Sequence, residues 1–335
     1  MLGQIFNAQL IAEAFGAGAT VLILGGLGYL FTDRAGVFNI TVEGLLLFAA
    51  FFAAVGAGEL HNSMIGVLCG IAAALVVSII FFVVSIWLRA DIIVVGIAIN
   101  LLASGTTVFL LNNFFHNEGL YQPAGLHTVP ALSIPVLRVL PLLGPTFTNQ
   151  NLLTYVAWLT VPLAHVLLYR TPLGLRIRSV GENPEAAATV GINVQWTQFV
   201  AIMICGLLCG IGGAYLSIGP LGGFNRDMSA GQGWIALAAE TLGGATPLGT
   251  FLSCVFFGAS QGVASNMAAA NIGASQFAHS IPYVVTVIGL ALAARRVMLR
   301  RLGRTHGPGG SQTQPIAATQ AADATGMTAT GDAGG

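Results

Sequence analysis

Two carboxylates beside long apolar runs are the residues best placed to do chemistry in this chain. Glu43 precedes one run, and Glu240 lies late in another, before Gly243-Gly244 and Pro247. An ionisable group within an apolar span is costly, so by default it is a candidate for proton or solute transfer. Each also has a plainer interpretation: Glu43 would favour the dipole of a helix that starts there, and Glu240 would lie at a membrane edge. Neither has a basic partner within its apolar run, so proton coupling is not favoured.

The other reactive residue types do not combine into a catalytic or metal site. All twelve basic residues are arginine, which excludes the lysine of a phosphate-binding P-loop and lysine Schiff-base chemistry. The six histidines are scattered, and no Ser/His/acid spacing is persuasive. We therefore expect a chain that is not an enzyme and that holds no metal or cofactor. The four cysteines lie in apolar runs without a histidine or acid beside them, which is typical of packing residues: Cys69, Cys205, Cys209 and Cys254.

One apolar run has a polar face. Asn100, Ser104 and Thr107 stand at i, i+4 and i+7, so a helix would place them on one side. Such groups must face protein or water rather than lipid. Lining of a translocation path and hydrogen bonding between helices are equally favoured. A stripe of small residues in a later run predicts close helix packing: Gly206, Gly210 and Gly213.

The composition identifies the elements that must position these groups. The chain has 335 residues, of which 55% are apolar and 7% charged, whereas soluble domains carry about 25% charged residues. This predicts an all-α polytopic membrane protein. The zero net charge gives no electrostatic footprint for nucleic acid.

The apolar runs predict about nine transmembrane helices, of which the second and seventh are short. Placing ten of the arginines inside and two, Arg138 and Arg226, outside puts the N-terminus outside and the C-terminus in the cytoplasm. Residues 1–304 then form the membrane domain, and the Gly/Ala/Thr-rich residues 305–335 form a disordered cytoplasmic tail. The nine runs are Ala14–Phe31, Leu45–Ala57, Ile65–Leu88, Ile92–Leu111, Leu152–Leu168, Phe199–Ile218, Trp234–Leu242, Leu248–Met267 and Phe277–Ala294.

A polar segment, residues 170–194, separates the fifth run from the sixth. Asn183 can cap a short helix, Pro184 suits its first turn, and Glu185 favours its positive end. Gly191 is a natural stop. A short exposed helix between two spans needs a surface to pack on, which predicts contact with another protein. Arg176 and Arg178 either anchor the loop at the membrane face or pair with acids of that partner.

This segment resembles the EAA loop of the membrane subunits of ABC importers, whose short coupling helix fits a groove on the ATPase, and we therefore call residues 170–194 the coupling loop. Glu185-Ala186-Ala187, three residues and Gly191 match its pattern, and the flanks TPLGLR and GINV are similar to permeases of the simple-sugar, nucleoside and branched-chain amino acid branch. Residues 33–44, 89–102 and 230–238 are similar to the same branch, most of all to its nucleoside type. Asp33 stands where that branch usually has Glu, and Thr41 where it has Gly. The resemblance covers about residues 14 to 300.

This resemblance implies a function and a set of partners. The chain would be the transmembrane subunit of an ATP-driven importer in a bacterial or archaeal plasma membrane, and would move nucleosides or simple sugars by alternating access. ATP and Mg would bind a separate cytosolic ATPase. The other partners would be a second permease, usually a different chain, and an extracytoplasmic solute-binding protein docked on loops 112–150 and 219–232. A branched-chain amino acid permease and a stand-alone secondary transporter or channel remain the alternatives.

The resemblance and the polar pattern together give two sets of candidate residues. The first set would contact the ATPase: Arg176, Arg178, Glu182, Pro184, Glu185, Ala186, Ala187 and Gly191. The second set would lie along the solute path: Glu43, Asn100, Ser104, Thr107 and Glu240.

Overall fold

The structure, a computed structural model, describes residues 16–115, 119–123, 128–133 and 149–269. All of them belong to one compact unit, Met1–Ala291. The second unit, Leu292–Gly335, lies outside the described residues, and so do the tail at 305–335 and the predicted ninth span.

The described residues are predominantly helical, as the composition predicted. The helices are α1 (Ala17–Arg34), α2 (Val42–Glu59), α3 (Ser63–Phe82) with a π-helical turn (Val83–Trp87), α4 (Ile92–Phe115), α5 (Leu152–Arg170), α6 (Pro172–Glu182), α7 (Pro184–Thr189), α8 (Val194–Ile218), α9 (Gln232–Leu242) and α10 (Pro247–Ala269). The strands are β1 (Leu120–Tyr121), β2 (Ala131–Ser133), β3 (Asn149–Asn151) and β4 (Phe224–Asn225).

Six of these helices are long and apolar enough to cross a membrane, and each overlaps a predicted span. The chain is therefore a polytopic membrane protein. Helix α1 is not among the six, because it contains several glycines and ends on Asp33-Arg34. Helix α9 has 11 residues, or about 17 Å, and a bilayer core is about 30 Å thick. The six are Val42–Glu59, Ser63–Trp87, Ile92–Asn113, Leu152–Arg170, Val194–Ile218 and Pro247–Ser265.

Helix α2 begins beside the middle of α1 rather than at its end. Residues 35–41 turn back along α1, and the Asn39 amide nitrogen lies 3.5 Å from the sulfur of Cys205. Gly28, near the middle of α1, packs against the same Cys205. Thr41, where the resemblance has Gly, has a φ of −72°, so its side chain is tolerated, and its hydroxyl donates to Asn39. The short predicted second span therefore starts partway through the bundle.

Helix α8 packs in the centre of the bundle against α1, α2 and α3. The glycine stripe faces these neighbours: Gly206 packs on Ser78, Gly210 on Ile71 and Gly213 on the backbone of α2. A Cβ at any of the three would collide with its neighbour. The prediction that this stripe serves close packing is confirmed.

The end of the bundle that holds the last turn of α2 carries two small antiparallel strand pairs. β1 pairs with β4, and β2 pairs with β3, with Leu132 opposite Gln150. Tyr121 of β1 reaches the carboxylate of Glu59 at 3.3 Å. The segment 112–150 was predicted as a loop, and its described parts include the end of α4 and the short strands β1 and β2. Isolated pairs of two or three residues are too short to leave an alternating apolar pattern.

Candidate functional site

The coupling loop begins with a helix that sequence reasoning missed. Residues 170–182 were read as a charged loop, but α6 runs from Pro172 to Glu182. The Thr171 hydroxyl accepts a hydrogen bond from Gly174 N at 3.2 Å and caps it. Thr171-Pro172 is the same kind of start signal as Asn183-Pro184, so the sequence did contain evidence for α6.

The second helix of the loop, α7, has the predicted caps. Asn183 Oδ1 accepts from Ala186 N at 2.9 Å, Pro184 opens the helix, and Glu185 lies in its first turn. Gly191 follows with a φ of +84°, the left-handed conformation that ends helices and that glycine adopts most easily. The predicted short capped helix is confirmed.

Helix α7 rests on one buried residue and presents the rest of its surface. Ala187 is 4% exposed, whereas Pro184, Glu185 and Ala186 are exposed. Val190, directly after the helix, is 75% exposed. A six-residue helix with one anchoring side chain is not stable alone, so its outer surface suits a partner.

The charged residues of the loop differ in their surroundings. Glu182 and Arg176 are exposed. Arg178 is half-buried, and its guanidinium lies 5.0 Å from the centre of the Tyr169 ring. This cation–π contact fastens α6 to α5. Within the described residues the one ion pair is Arg226 with Asp227, so neither Arg176 nor Glu182 forms an ion pair there.

At Gly181 the coupling loop meets the end of α1 backbone to backbone. Gly181, in the last turn of α6, lies so close to the carbonyl of Arg34 that a Cβ there would collide with it. Gly36, with a φ of +74°, faces Gly181 across the same contact. The prediction placed Gly181 and Arg34 in separate motifs, and the fold brings them together.

Arg34 also holds the turn between α9 and α10. Its Nε donates to the carbonyl of Ala245 at 2.7 Å, and its Nη2 donates to the same oxygen. Ala245 has a φ of +53°, which is unusual for a residue with a side chain and persists only where neighbours fix it. Arg34 thus connects three elements: α1, α6 and the α9–α10 turn.

Glu43 joins the first turn of α2 to the first turn of α9, and we call this contact the helix junction. One carboxylate oxygen accepts from Ser229 Oγ at 2.6 Å and from Gly231 N at 2.9 Å. The other accepts from Gly233 N at 2.7 Å. Both helices therefore start at the same carboxylate. This satisfies a side chain for which the sequence offered no basic partner.

Asn100 secures the same region from α4. Its Oδ1 accepts from Gly44 N at 2.8 Å, and its Nδ2 donates to the Ile40 carbonyl at 3.0 Å. The oxygen and the nitrogen of this side-chain amide thus both bond the backbone at the start of α2. Of the two interpretations left open for Asn100, hydrogen bonding between helices describes this conformation.

The other two polar residues of α4 differ from each other. Ser104 is partly exposed, and its hydroxyl donates to Asp227 Oδ1 at 2.6 Å. Thr107 is fully buried, and its hydroxyl bonds the carbonyl of Ala103 in its own helix at 2.8 Å. Ser104 and Asp227 are therefore accessible polar groups, whereas Thr107 is not.

Glu240 lies in the last turn of α9, on the side of Arg34. Its side chain is 2% exposed, and its Oε1 has no hydrogen-bond partner within the described residues. Asp33 and Arg34 are charged groups whose fields reach it. Glu240 and Glu43 thus lie near opposite ends of the same 11-residue helix. The described residues contain no group of three or more His, Cys, Asp or Glu arranged to hold a metal ion.

Comparison with known proteins adds a family and several relatives. Residues 12–292 match the family described as branched-chain amino acid transport system, permease component. The nucleoside ABC transporter permease protein NupC of Lactococcus lactis is 35% identical, over 82% of this chain and 89% of the relative. The guanosine ABC transporter permease protein NupQ of Bacillus subtilis is 35% identical, over 81% and 88%. The putative glucose ABC transporter permease protein TsgC13 of Haloferax volcanii is 34% identical, over 72% of each chain. No solved structure matches the chain.

Proposed function

The chain belongs to the family of branched-chain amino acid transport system permease components, and from that premise we propose that it is the membrane subunit of an ATP-driven nucleoside importer. Two relatives that match most of the chain are named as nucleoside and guanosine permeases. The observation that carries the coupling part of the proposal is α7, a capped helix between two spans that exposes Glu185 and is followed directly by the exposed Val190.

The proposed partner of α7 is a separate ATPase. The chain has no lysine for a phosphate-binding loop, so ATP and Mg would bind the partner. Glu182, Glu185 and Arg176 offer charges, and Val190 offers an apolar contact, for a groove on that subunit. Arg178 would stabilise the loop through Tyr169 rather than contact the ATPase.

The proposed arrangement of the helices in the membrane is the one that the sequence predicts. Nine spans would place the N-terminus outside and the C-terminus in the cytoplasm of a bacterial or archaeal cell. The coupling loop, Arg34 and the Ala245 turn would then share the cytoplasmic side, and their mutual contacts support this. The strand pairs would face outward, where a solute-binding protein would dock. A second permease, a different chain, would complete the path.

The proposed path runs along α4 and the helix junction. Ser104 and Asp227 form its accessible polar part. Hydroxyl, amide and carboxylate groups are suited to hydrogen-bonding an uncharged, hydroxylated solute. Asn100, Thr107, Glu43 and Glu240 would shape the path by fixing its helices.

A simple sugar is the second candidate solute. The similarity to the Haloferax volcanii permease named for glucose favours it, and sugars share the hydroxyl groups that the path would bind. Uptake of a labelled nucleoside and of labelled glucose by the same complex distinguishes the two.

The test is uptake by the complex reconstituted with its ATPase, second permease and binding protein. We expect Glu185→Arg to abolish uptake while the chain still inserts, and Glu185→Asp, which keeps the charge, to retain much of it. If Glu185→Arg still couples ATP hydrolysis to uptake, the coupling assignment is wrong. Uptake by the wild-type chain without any ATPase would instead favour a stand-alone transporter.

A further inference from the structure

We propose that Arg34 and Gly181 form the joint through which motion of the coupling loop enters the membrane helices, and that Glu43 is the latch this motion opens. The proposal rests on the coupling role proposed above for α7. The joint consists of Gly181, Arg34 and Gly36, and the latch consists of the three hydrogen bonds that Glu43 accepts.

The joint leaves no slack between the coupling loop and α1. Gly181 meets the Arg34 carbonyl backbone to backbone, so no flexible side chain lies between them to absorb a displacement. Close-packed contacts of this kind transmit small shifts rather than damping them. Any movement of α6 along this contact must therefore move Arg34 or separate the two elements.

Two arms lead from Arg34 to the latch. The first is the chain itself, residues 35–41, which enters α2 at Val42 and so carries Glu43. The second starts at the guanidinium, which holds the Ala245 carbonyl after α9. It continues along α9 to Gly233, whose amide donates to Glu43. Both arms thus leave one residue and meet again at one carboxylate.

The arms differ in what else holds them, and for that reason their relative motion falls on the latch. Helix α9 is one rigid unit of 11 residues. The other arm ends at the start of α2, which Asn100 also bonds to α4 through Ile40 and Gly44. When Arg34 shifts, α9 follows as a body and α2 does not follow equally. The start of α2 and the start of α9 then move apart, and this breaks the hydrogen bonds that Glu43 accepts.

The state of Ala245 supports this assignment. A residue with a side chain in the left-handed conformation is strained, and the Arg34 fork fixes this one by donating twice to its carbonyl. Loss of the fork would let the α9–α10 turn relax. A lysine at position 34 would keep the positive charge but could not reproduce the two fixed donors of the guanidinium. Arg34→Lys therefore distinguishes two roles of Arg34: holding the joint, which needs the guanidinium, and anchoring at the membrane face, which needs only a positive charge.

The experiment measures ATP hydrolysed per solute imported by the reconstituted full complex. We expect Gly181→Ala and Arg34→Lys to raise this ratio by about 5- to 150-fold, the usual range of coupling between two sites. The matched control is Gly105→Ala, the same change on α4 at a glycine with nothing within 4 Å of the added Cβ. Its ratio should equal that of the wild type. The thermal unfolding midpoint of each variant shows whether it folds.

Amide hydrogen exchange gives a readout that a structural role alone would not change. In the wild-type complex, trapping the ATPase with vanadate should speed exchange at Gly231 and Gly233, whose amides the latch protects. In the Arg34→Lys complex the same trapping should leave their exchange slow. If the wild-type amides exchange equally in both states, or if both joint variants couple normally, the inference is wrong. If instead the wild-type complex shows no ATP-dependent uptake, the proposed function is wrong.

Discussion

The side-chain oxygen of Asn100 lies 2.8 Å from the backbone nitrogen of Gly44, in the first turn of the helix that starts inside the bundle. The amide nitrogen of the same Asn100 donates to the carbonyl of Ile40, just before that helix. One side chain on α4 thus satisfies both a donor and an acceptor that the interrupted backbone leaves open.

Asn100→Asp should destabilise the protein although the two residues have the same shape. An aspartate keeps the acceptor for Gly44 but places an oxygen against the Ile40 carbonyl, which then loses its donor. An unsatisfied buried group costs about 1–3 kcal/mol. The thermal unfolding midpoint in detergent measures the loss, with the exposed Asn112→Asp on the same helix as control. Equal midpoints for the two variants would contradict this prediction.

Asn183→Ala should weaken coupling more than folding. The residue caps α7, and removal of such a cap costs about 0.5–2 kcal/mol, which is large for a six-residue helix. We expect lower ATP-dependent uptake, faster amide exchange at Ala186 and rescue by Asn183→Ser. The matched control is Asn193→Ala, which removes the same cap from α8, a helix of 25 residues held by packing. If Asn193→Ala impairs uptake as strongly, the effect is not specific to α7.

Gly210→Ala should destabilise the bundle by overpacking. A Cβ at Gly210 would lie 2.7 Å from the Cα of Ile71, where backbone must give way. Extra methyl groups in packed cores cost about 1–3 kcal/mol. Gly105→Ala, in open space on α4, should instead be neutral or slightly stabilising, because alanine favours helix. The difference between the two unfolding midpoints is the measurement, and a difference of zero would refute the packing assignment.

Tyr121, in the strand pair beside the end of α2, should ionise at a higher pH than an ordinary tyrosine. Burial, and then the neighbouring carboxylate of Glu59, raise its pKa from 10.0 to about 12. The raised value belongs to the folded state, so this contribution to stability is complete below pH 10.0 and is lost as the pH rises towards 12. Absorbance titration of tyrosinate should show one group near pH 12 that is missing in Tyr121→Phe. If the difference between the two titration curves is instead centred on pH 10.0, the shift is excluded.

The parts of the fold that could be predicted are those with local causes. Long apolar runs predict membrane spans, because a helix needs about 20 consecutive apolar residues to cross the bilayer. The caps of α7 could be read directly, since Asn183, Pro184 and Gly191 act on their own helix. Helix α6 was missed for a smaller reason: the charges between Arg170 and Glu182 outweighed a Thr-Pro start signal of the same kind.

The helix junction could not be predicted, because its partners are distant in the chain. Glu43 bonds Gly231 across 188 residues, and Asn100 bonds Gly44 across 56. Nothing near Glu43 in the sequence reveals that α2 begins inside the bundle or that α9 begins opposite it. The contact between Gly181 and Arg34 could not be predicted either. The sequence does not distinguish a glycine that contacts a neighbouring backbone from any other glycine.

The arrangement of α2 and α9 has an electrical consequence. The two helices begin at one carboxylate and run to opposite ends of the bundle, α2 towards Tyr121 and α9 towards Arg34. Each amino terminus carries about half a positive charge from its aligned peptide dipoles. Two such termini face the Glu43 carboxylate, so the helix junction offsets an acid with backbone dipoles and, among the described residues, uses no basic side chain.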